Sequence, residues 1–131
     1  MTTIRQAIHT DKAPKAIGPY SLAISNGDLV FISGQIPLDS ATGKLVEGDV
    51  SAQASQSLEN LKSILEAAGL TFGHVVKTTI FLTDMADFAA VNEVYKGYVG
   101  EPYPARSTIA VAALPMGAKV EIEMIASRSS V

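Results

Sequence analysis

The chain has 131 residues, enough for one domain, and its 47% hydrophobic and 18% charged residues predict a compact core rather than a disordered chain. The formal net charge of -3 provides no basic field for nucleic acid, and no run of lysines and arginines occurs. The absence of cysteine excludes disulfide bonds, thiolate nucleophiles and zinc sites built on cysteine.

The first third of the chain is typical of short strands joined by turns. Three strands are predicted, at residues 4–8, 22–25 and 29–36. Asn26-Gly27-Asp28 carries a hairpin-type turn signal between the second and the third. Residues 13–20 contain too much proline and glycine for a regular element, and residues 38–48 form a second turn region.

The clearest element is a helix over residues 50–68. Its apolar residues recur at spacings of three and four, namely Val50, Ala54, Leu58, Leu61, Leu65 and Ala68. Asp49 is predicted to cap the start, because a carboxylate accepts hydrogen bonds from free backbone N–H groups. Gly69 is predicted to end the helix, since glycine tolerates the left-handed conformation.

The second half of the chain predicts three more strands and one more helix. The strands are predicted at residues 75–82, 105–112 and 119–126. Asp84 is predicted to cap a shorter helix, whose apolar face comprises Met85, Phe88, Val91, Tyr95 and Tyr98. The order β-β-β-α-β-α-β-β, without a linker or an internal repeat, predicts a single α+β domain over residues 1–131.

Two helices can cover only one face of such a sheet, and strand alternation indicates which residues they cover. In the last strand the alternating sets are Val120, Ile122 and Met124 against Glu121 and Glu123. In the preceding strand they are Ile109 and Val111 against Arg106, Thr108 and Ala110. We expect the helices to cover the apolar sets. Phe31 and Phe81 on the other face suggest that a partner subunit covers it.

Arg106 and Glu121 are the strongest candidates for chemistry. Arg106 offers a planar, permanently charged fork that suits a carboxylate or a phosphate. If the two strands that carry them pair, both side chains could lie on the same sheet face. A cross-strand ion pair is the plainer interpretation, and Glu123 could replace Glu121 in either role because both point the same way.

Three other positions carry weaker signals. Gly34 indicates a bulge or a close approach of the backbone to a ligand, and a simple bulge beside Pro37 is the plainer interpretation. Tyr20, after Gly-Pro, could aim its hydroxyl at a site or lie in the core with that hydroxyl satisfied. Asn92 is a helix position that normally faces solvent.

The sequence predicts neither a metal site nor a cofactor. His9 and His74 are far apart and lack acidic or histidine partners at ligand spacing. Calcium loops, nucleotide-binding glycine motifs and the Gly-x-Ser-x-Gly elbow do not occur in the sequence. No apolar run approaches the length of a membrane span, and the N-terminus has no signal region, so we expect a cytoplasmic protein.

Six blocks of the chain, in their joint order and spacing, resemble the RidA (YjgF) family over nearly the whole sequence. They are residues 16–20, 33–37, 56–61, 76–81, 104–107 and 120–123. The resemblance implies a chorismate-mutase-like α+β fold, with a single mixed β-sheet and two helices on one face. It also implies a homotrimer with a central β-barrel and active sites in clefts between neighbouring subunits.

The same resemblance implies an activity and a set of site residues. The activity is hydrolysis of reactive 2-enamine and 2-imine acids, such as 2-aminoacrylate, to 2-oxo acids and ammonia, which protects pyridoxal-phosphate enzymes. The family's key arginine and glutamate fall on Arg106 and Glu121. Other matching site positions are Tyr20, Ser33, Gly34 and Asn92. Thr108 stands where the family often has cysteine, and its hydroxyl can still donate and accept a hydrogen bond.

Three other functions stay open at this point. A non-catalytic trimer could bind small carboxylates through Arg106 and regulate a partner, without needing Glu121. Endoribonuclease or translation-inhibitor activity, also attributed to members of the family, is disfavoured by the acidic composition and by the lack of a basic stretch with interleaved aromatic residues. A chaperone-like surface protein would need neither residue.

Overall fold

The computed structural model describes residues 4–129, which form one sheet and two α-helices. The strands are β1 (Arg5–Ile8), β2 (Ala23–Asn26), β3 (Leu29–Gln35), β4 (Val75–Leu82), β5 (Ala105–Ala110) and β6 (Val120–Ser127). The helices are α1 (Val50–Ala67) and α2 (Phe88–Lys96). Short 3-10 turns cover Phe72–His74, Met85–Asp87 and Pro115–Gly117. The predicted order of elements is confirmed.

The sheet has the strand order β1-β2-β3-β6-β4-β5. Only the β4–β5 pair is parallel, and helix α2 makes the crossover that a parallel connection requires. The predicted single mixed sheet with two helices is therefore confirmed. Pairing between the last two strands does not occur, because β4 lies between β5 and β6 and pairs with both.

Helix α1 begins and ends where its sequence signals place it. A side-chain oxygen of Asp49 accepts a hydrogen bond from the N–H of Ala52 at 3.0 Å. Gly69, just after the helix, has a φ of 77°, a conformation that costs glycine little. The helix packs on β3 and β6, and its fully buried side chains include Leu58, Leu61 and Ile64.

The second helix starts later than predicted. Asp84 caps the 3-10 turn Met85–Asp87, where its carboxylate accepts from the N–H of Ala86 at 2.9 Å, and α2 begins only at Phe88. A 3-10 turn has three residues per turn instead of the 3.6 of an α-helix, so the side chains after it point in other directions than a continuous α-helix would give them. Val91 and Tyr95 are buried as expected, whereas Met85 and Phe88 are exposed.

The two faces of the sheet differ as predicted at β6 and contrary to prediction at β5. Val120, Ile122 and Met124 are buried beneath the helices. On β5 the apolar Ile109 is exposed on the other face, and Arg106 lies on the helix side. Among the described residues, no helix combines the length and the apolar character needed to cross a bilayer.

Candidate active site

The third strand bulges at Ser33 and Gly34. Between the pairs Ile32–Met124 and Gln35–Ile122, β3 advances by one residue more than β6. Gly34 also packs against the carboxylate of Glu121, and a Cβ built at Gly34 would overlap a carboxylate oxygen. The bulge predicted at this glycine is confirmed, and the close approach explains why no side chain fits there.

Glu121 lies on the sheet face away from the helices and is half-buried. Burial raises the pKa of its carboxyl above the usual range, and the nearby carboxylate of Glu123 raises it further. Both effects act in the same direction, because each disfavours the charged form. A carboxyl of this kind exchanges a proton closer to neutral pH than an ordinary glutamate does.

Tyr20 and Ser33 connect the loop before β2 to the bulge. The hydroxyl oxygen of Tyr20 accepts from the N–H of Ile17 at 3.2 Å, and its side chain is half-exposed. The hydroxyl of Ser33 donates to the carbonyl of Ser21 at 2.6 Å, and its N–H donates to the carbonyl of Leu22 at 2.9 Å. The loop is thereby held beside Gly34.

These residues line a cleft of about 580 Å³, which we name the Glu121 cleft. Its polar lining includes Tyr20, Ser33, Gly34 and Glu121. Apolar residues complete the walls, and one of them, Met116, has a φ of 59° that is unusual outside glycine. Met116 was not predicted as a site residue, although Pro115 and Gly117 beside it indicated a turn. The structure thus brings together four of the predicted site residues.

Arg106 lies elsewhere, on the helix side of β5. Its guanidinium carbon is 5.1 Å from the ring centroid of Tyr95 and 5.6 Å from that of Phe88. Across residues 4–129 it forms no salt bridge, so the cross-strand ion pair considered above does not occur. Two aromatic faces hold the cation without neutralising it, which leaves its N–H groups for an anion.

Asn92 lies beside Arg106 in a shallower pocket of about 350 Å³, which we name the Arg106 pocket. Its lining residues are Asn92, Lys96, Tyr103, Pro104 and Arg106. The sequence did not single out Lys96 or Tyr103. Asn92 therefore does not simply face open solvent, because it shares a concave surface with the guanidinium.

Thr108 follows Arg106 on the same side of β5, opposite the buried Ile80 of β4. Its hydroxyl oxygen is buried and has no hydrogen-bond partner among residues 4–129. A buried hydroxyl without a partner is uncommon in folded proteins and is a place where a ligand or another chain can supply the missing bond.

The two groups expected to act together lie on opposite faces of the sheet. The register pairs Arg106 with Thr78 and Glu121 with Phe81. Residues three apart on a regular strand point to opposite sides. The expectation that both side chains share a face within one chain is therefore wrong, because β4 intervenes and β5 turns its charged set toward the helices.

The whole described chain has close counterparts among known proteins. The sequence profile of the family described as Endoribonuclease L-PSP matches residues 10–128. The human 2-iminobutanoate/2-iminopropanoate deaminase is 51% identical over 123 residues, which cover 94% of this chain and 90% of the human protein. This chain belongs to the RidA family.

Other members of the RidA family agree with this assignment. Protein DfrA of Myxococcus xanthus is 60% identical over 124 residues, which cover 93% of this chain and 95% of that protein. The structure of RidA from an Antarctic Psychrobacter is 52% identical, with a TM-score of 0.90 over 93% of this chain and 98% of that one. The structure of Escherichia coli TdcF with bound serine is 48% identical, with a TM-score of 0.88 over 94% and 98%.

Within residues 4–129, no three histidine, aspartate or glutamate side chains form a group that could hold a metal ion. The polar groups of the two pockets are instead a guanidinium, a carboxylate, two lysine ammonium groups, hydroxyls and amides, which suit a small organic acid.

Proposed function

We propose that the protein hydrolyses reactive 2-enamine and 2-imine acids, such as 2-aminoacrylate, to 2-oxo acids and ammonia in the cytoplasm, and thereby protects pyridoxal-phosphate enzymes. The observation that carries the proposal is the guanidinium of Arg106, which two aromatic rings hold and which has no carboxylate partner among the described residues. The human and mouse relatives named imine deaminases, at 51% and 54% identity, support it.

The site is proposed to form between two copies of the chain in a homotrimer with a central β-barrel. One copy would contribute the Arg106 pocket, and its neighbour would contribute the Glu121 cleft. The opposite orientation of the two side chains supports this arrangement, because a single copy cannot direct both at one substrate. The exposed Phe31 and Ile109 on the uncovered sheet face give such an assembly apolar surface to bury.

Substrate binding is assigned to Arg106 and its neighbours. The guanidinium would grip the substrate carboxylate through two parallel, charge-assisted hydrogen bonds, which selects 2-imino acids over neutral amines. The amide of Asn92 lies in the same pocket, and the hydroxyl of Thr108 would find the partner that it lacks. Tyr20, Ser33 and the backbone at Gly34 would orient the other end of the substrate.

The proposed reaction starts when the enamine takes up a proton at C3 and releases one from its nitrogen, which gives the imine, whose C2 is electrophilic. Glu121 holds a water molecule and accepts its proton as the oxygen bonds to C2. That proton passes to the nitrogen and gives the carbinolamine. Glu121 then takes the proton of the carbinolamine hydroxyl and passes it to the nitrogen, so that the C–N bond breaks and ammonia leaves a 2-oxo acid. The imine carbon is already electrophilic, so this route uses the positioning of water rather than a metal or an organic cofactor.

The test is to generate 2-aminoacrylate with a dehydratase and to follow its decay. Wild type should accelerate the decay, and Arg106→Ala and Glu121→Gln should abolish the acceleration. Arg106→Lys should also fail, because an ammonium cannot reproduce the planar fork. Glu123→Gln is the matched control, since it alters the neighbouring glutamate on the same face and should keep most of the activity. Full acceleration by Arg106→Ala or Glu121→Gln would contradict the assigned role of that residue.

A second candidate function is non-catalytic binding of small carboxylates. One observation favours it: the related TdcF structure, 48% identical, contains bound serine. This function needs Arg106 and does not need Glu121. Binding of serine that survives Glu121→Gln and disappears in Arg106→Ala, without any turnover by wild type, would favour it over hydrolysis.

A further inference from the structure

We propose that Gln53 and Asn60, two buried polar residues of helix α1, are positioning residues that fix two adjacent walls of the Glu121 cleft, the chain leaving β3 and the start of β6, relative to each other. The proposal rests on the proposed function of that cleft. Both residues lie outside the cleft lining and touch the backbone behind it.

Asn60 holds the wall that follows the bulge. Strand β3 ends at Gln35, so the backbone carbonyls of Ile36 and Leu38 lie beyond the strand and have no partner in the ladder of β3. The side-chain N–H groups of Asn60 donate to the carbonyl of Leu38 at 3.0 Å and to that of Ile36 at 3.4 Å. Gln56 in turn donates to the side-chain oxygen of Asn60 at 2.9 Å. Ile36 and Leu38 line the cleft directly, and Asn60 itself is only 2% exposed.

Gln53 holds the adjacent wall, at the start of β6. Its side-chain oxygen accepts a hydrogen bond from the backbone N–H of Lys119 at 2.9 Å. Lys119 lies just before β6 and two residues before Glu121. Its carbonyl accepts from the N–H of Thr83 at 3.2 Å, so the start of β6 is held from both sides.

Gln53 and Asn60 are two helical turns apart and lie on the same face of α1. A single rigid helix therefore contacts the chain that follows Gly34 and the start of the neighbouring strand that carries Glu121. The contact between Gly34 and the Glu121 carboxylate leaves no spare room, so a small shift of either wall would displace the carboxylate. The side-chain amides of Gln53 and Asn60 thereby fix the position of the Glu121 carboxylate.

A purely structural role makes a different prediction from a positioning role. Buried amides with satisfied hydrogen bonds stabilise a fold, and their loss lowers stability wherever they occur. A positioning role also lowers kcat while leaving KM nearly unchanged. KM would be spared because Arg106, which would bind the carboxylate, lies on another strand and receives no contact from either amide.

The test compares Gln53→Met and Asn60→Leu, which keep the side-chain volume and remove the polar contacts. We expect kcat to fall about tenfold or more in each, with KM within about twofold of wild type, because small misplacements of catalytic groups are costly. Ile64→Val is the control for stability, since it removes one methyl group from the buried face of the same helix and no hydrogen bond, and its kcat should match wild type. Equal kcat in all variants would overturn the proposal.

Two milder variants keep the test informative if Gln53→Met or Asn60→Leu does not fold. Gln53→Glu keeps an oxygen that can accept from Lys119, near a helix N-terminus that tolerates negative charge, and should restore kcat relative to Gln53→Met. Gln56→Met removes only the support for the Asn60 oxygen and should lower kcat by a smaller factor. If Gln53→Glu is no better than Gln53→Met, the assigned contact is wrong.

A second readout does not depend on turnover. Carbon-13 NMR can follow the titration of the Glu121 carboxyl in wild type and in Gln53→Met. The other ionisable groups around this carboxyl are Glu123 on the same strand, and Lys15 and Tyr20 in the cleft. Loosened walls should admit water and bring the pKa of Glu121 down toward its usual range.

The two readouts separate the two proposals. If wild type turns over no imine, the proposed function fails, and a changed Glu121 titration in Gln53→Met still supports the positioning role. If wild type is active, and the variants match it in both kcat and titration, the positioning role fails alone.

Discussion

Arg106 and Glu121 point to opposite sides of one sheet, because strand β4 pairs the arginine with Thr78 and the glutamate with Phe81. One copy of the chain therefore carries two separated groups: a cation in contact with two aromatic rings and a carboxylate packed on a glycine. The proposed hydrolysis needs both groups at one substrate, so it requires two copies.

Gly34→Ala should disable the Glu121 cleft without unfolding the protein. The added methyl would meet the carboxylate of Glu121, which is the far end of a flexible side chain and can swing away. We expect activity to fall at least tenfold, about the effect of a misplaced catalytic group, while far-UV circular dichroism stays unchanged. In a double-mutant cycle with Glu121→Ala, the second change should add almost nothing. Additive losses would show that the glycine acts elsewhere.

The raised pKa of Glu121 makes a prediction about stability and pH. The folded protein holds the proton of Glu121 more tightly than the unfolded chain does. Glutamates in an unfolded chain titrate at about pH 4.3. The wild-type fold therefore loses stability as the pH rises through the folded pKa, because the buried carboxyl must ionise. Glu121→Gln should raise the free energy of unfolding at pH 7, and the gain should vanish below about pH 4.

Urea denaturation at several pH values measures this effect. Glu66→Gln, at an exposed position of α1, is the matched control and should show no such dependence on pH. A gain from Glu121→Gln that persists unchanged at low pH would rule out ionisation as its cause.

The rings of Phe88 and Tyr95 that contact the Arg106 guanidinium should affect substrate binding. Tyr95→Leu removes one ring face and should raise KM roughly two- to fivefold, the range that a cation–π contact supports. Tyr95→Phe keeps the ring and loses only the hydrogen bond from the Tyr95 hydroxyl to Thr78, at 2.9 Å, so its KM should stay near the wild-type value. Steady-state kinetics with freshly generated imino acids measures both, and equal KM values in the two variants would contradict the role of the ring.

Much of the fold follows from local sequence signals. The caps of α1, the bulge at Gly34 and the buried set of β6 were predicted from residue spacing and are confirmed. These features depend on residues that are neighbours in sequence, or on alternation along one strand. The family assignment, first made from six short blocks, is likewise confirmed.

The errors concern contacts between distant parts of the chain. Alternation along β5 does not reveal that β4 separates it from β6, because strand order is a property of the whole sheet. Nor does it show that Arg106 lies on the helix side, where an edge strand can leave a charge partly exposed. The roles of the individual site residues stay predictions.

The aromatic contacts of Arg106 and the buried polar residues of α1 both have a pattern in the sequence. Phe88 and Tyr95 are seven residues apart, so they share a helix face, and that face could have been paired with a cation. Gln53 and Asn60 are seven residues apart on the buried face of α1, where polar residues require partners. Which partners they find depends on the packed structure.

The most direct test of the two-copy site mixes two inactive variants. Arg106→Ala and Glu121→Gln should each fail alone. When they are unfolded together in equal amounts and reassembled as trimers, some interfaces combine an intact arginine with an intact glutamate, and about a quarter of the wild-type activity should return. The control mixes Arg106→Ala with the Arg106→Ala/Glu121→Gln double variant. No copy in that mixture has an intact arginine, so no activity should return. No recovery from verified mixed trimers would contradict the shared site.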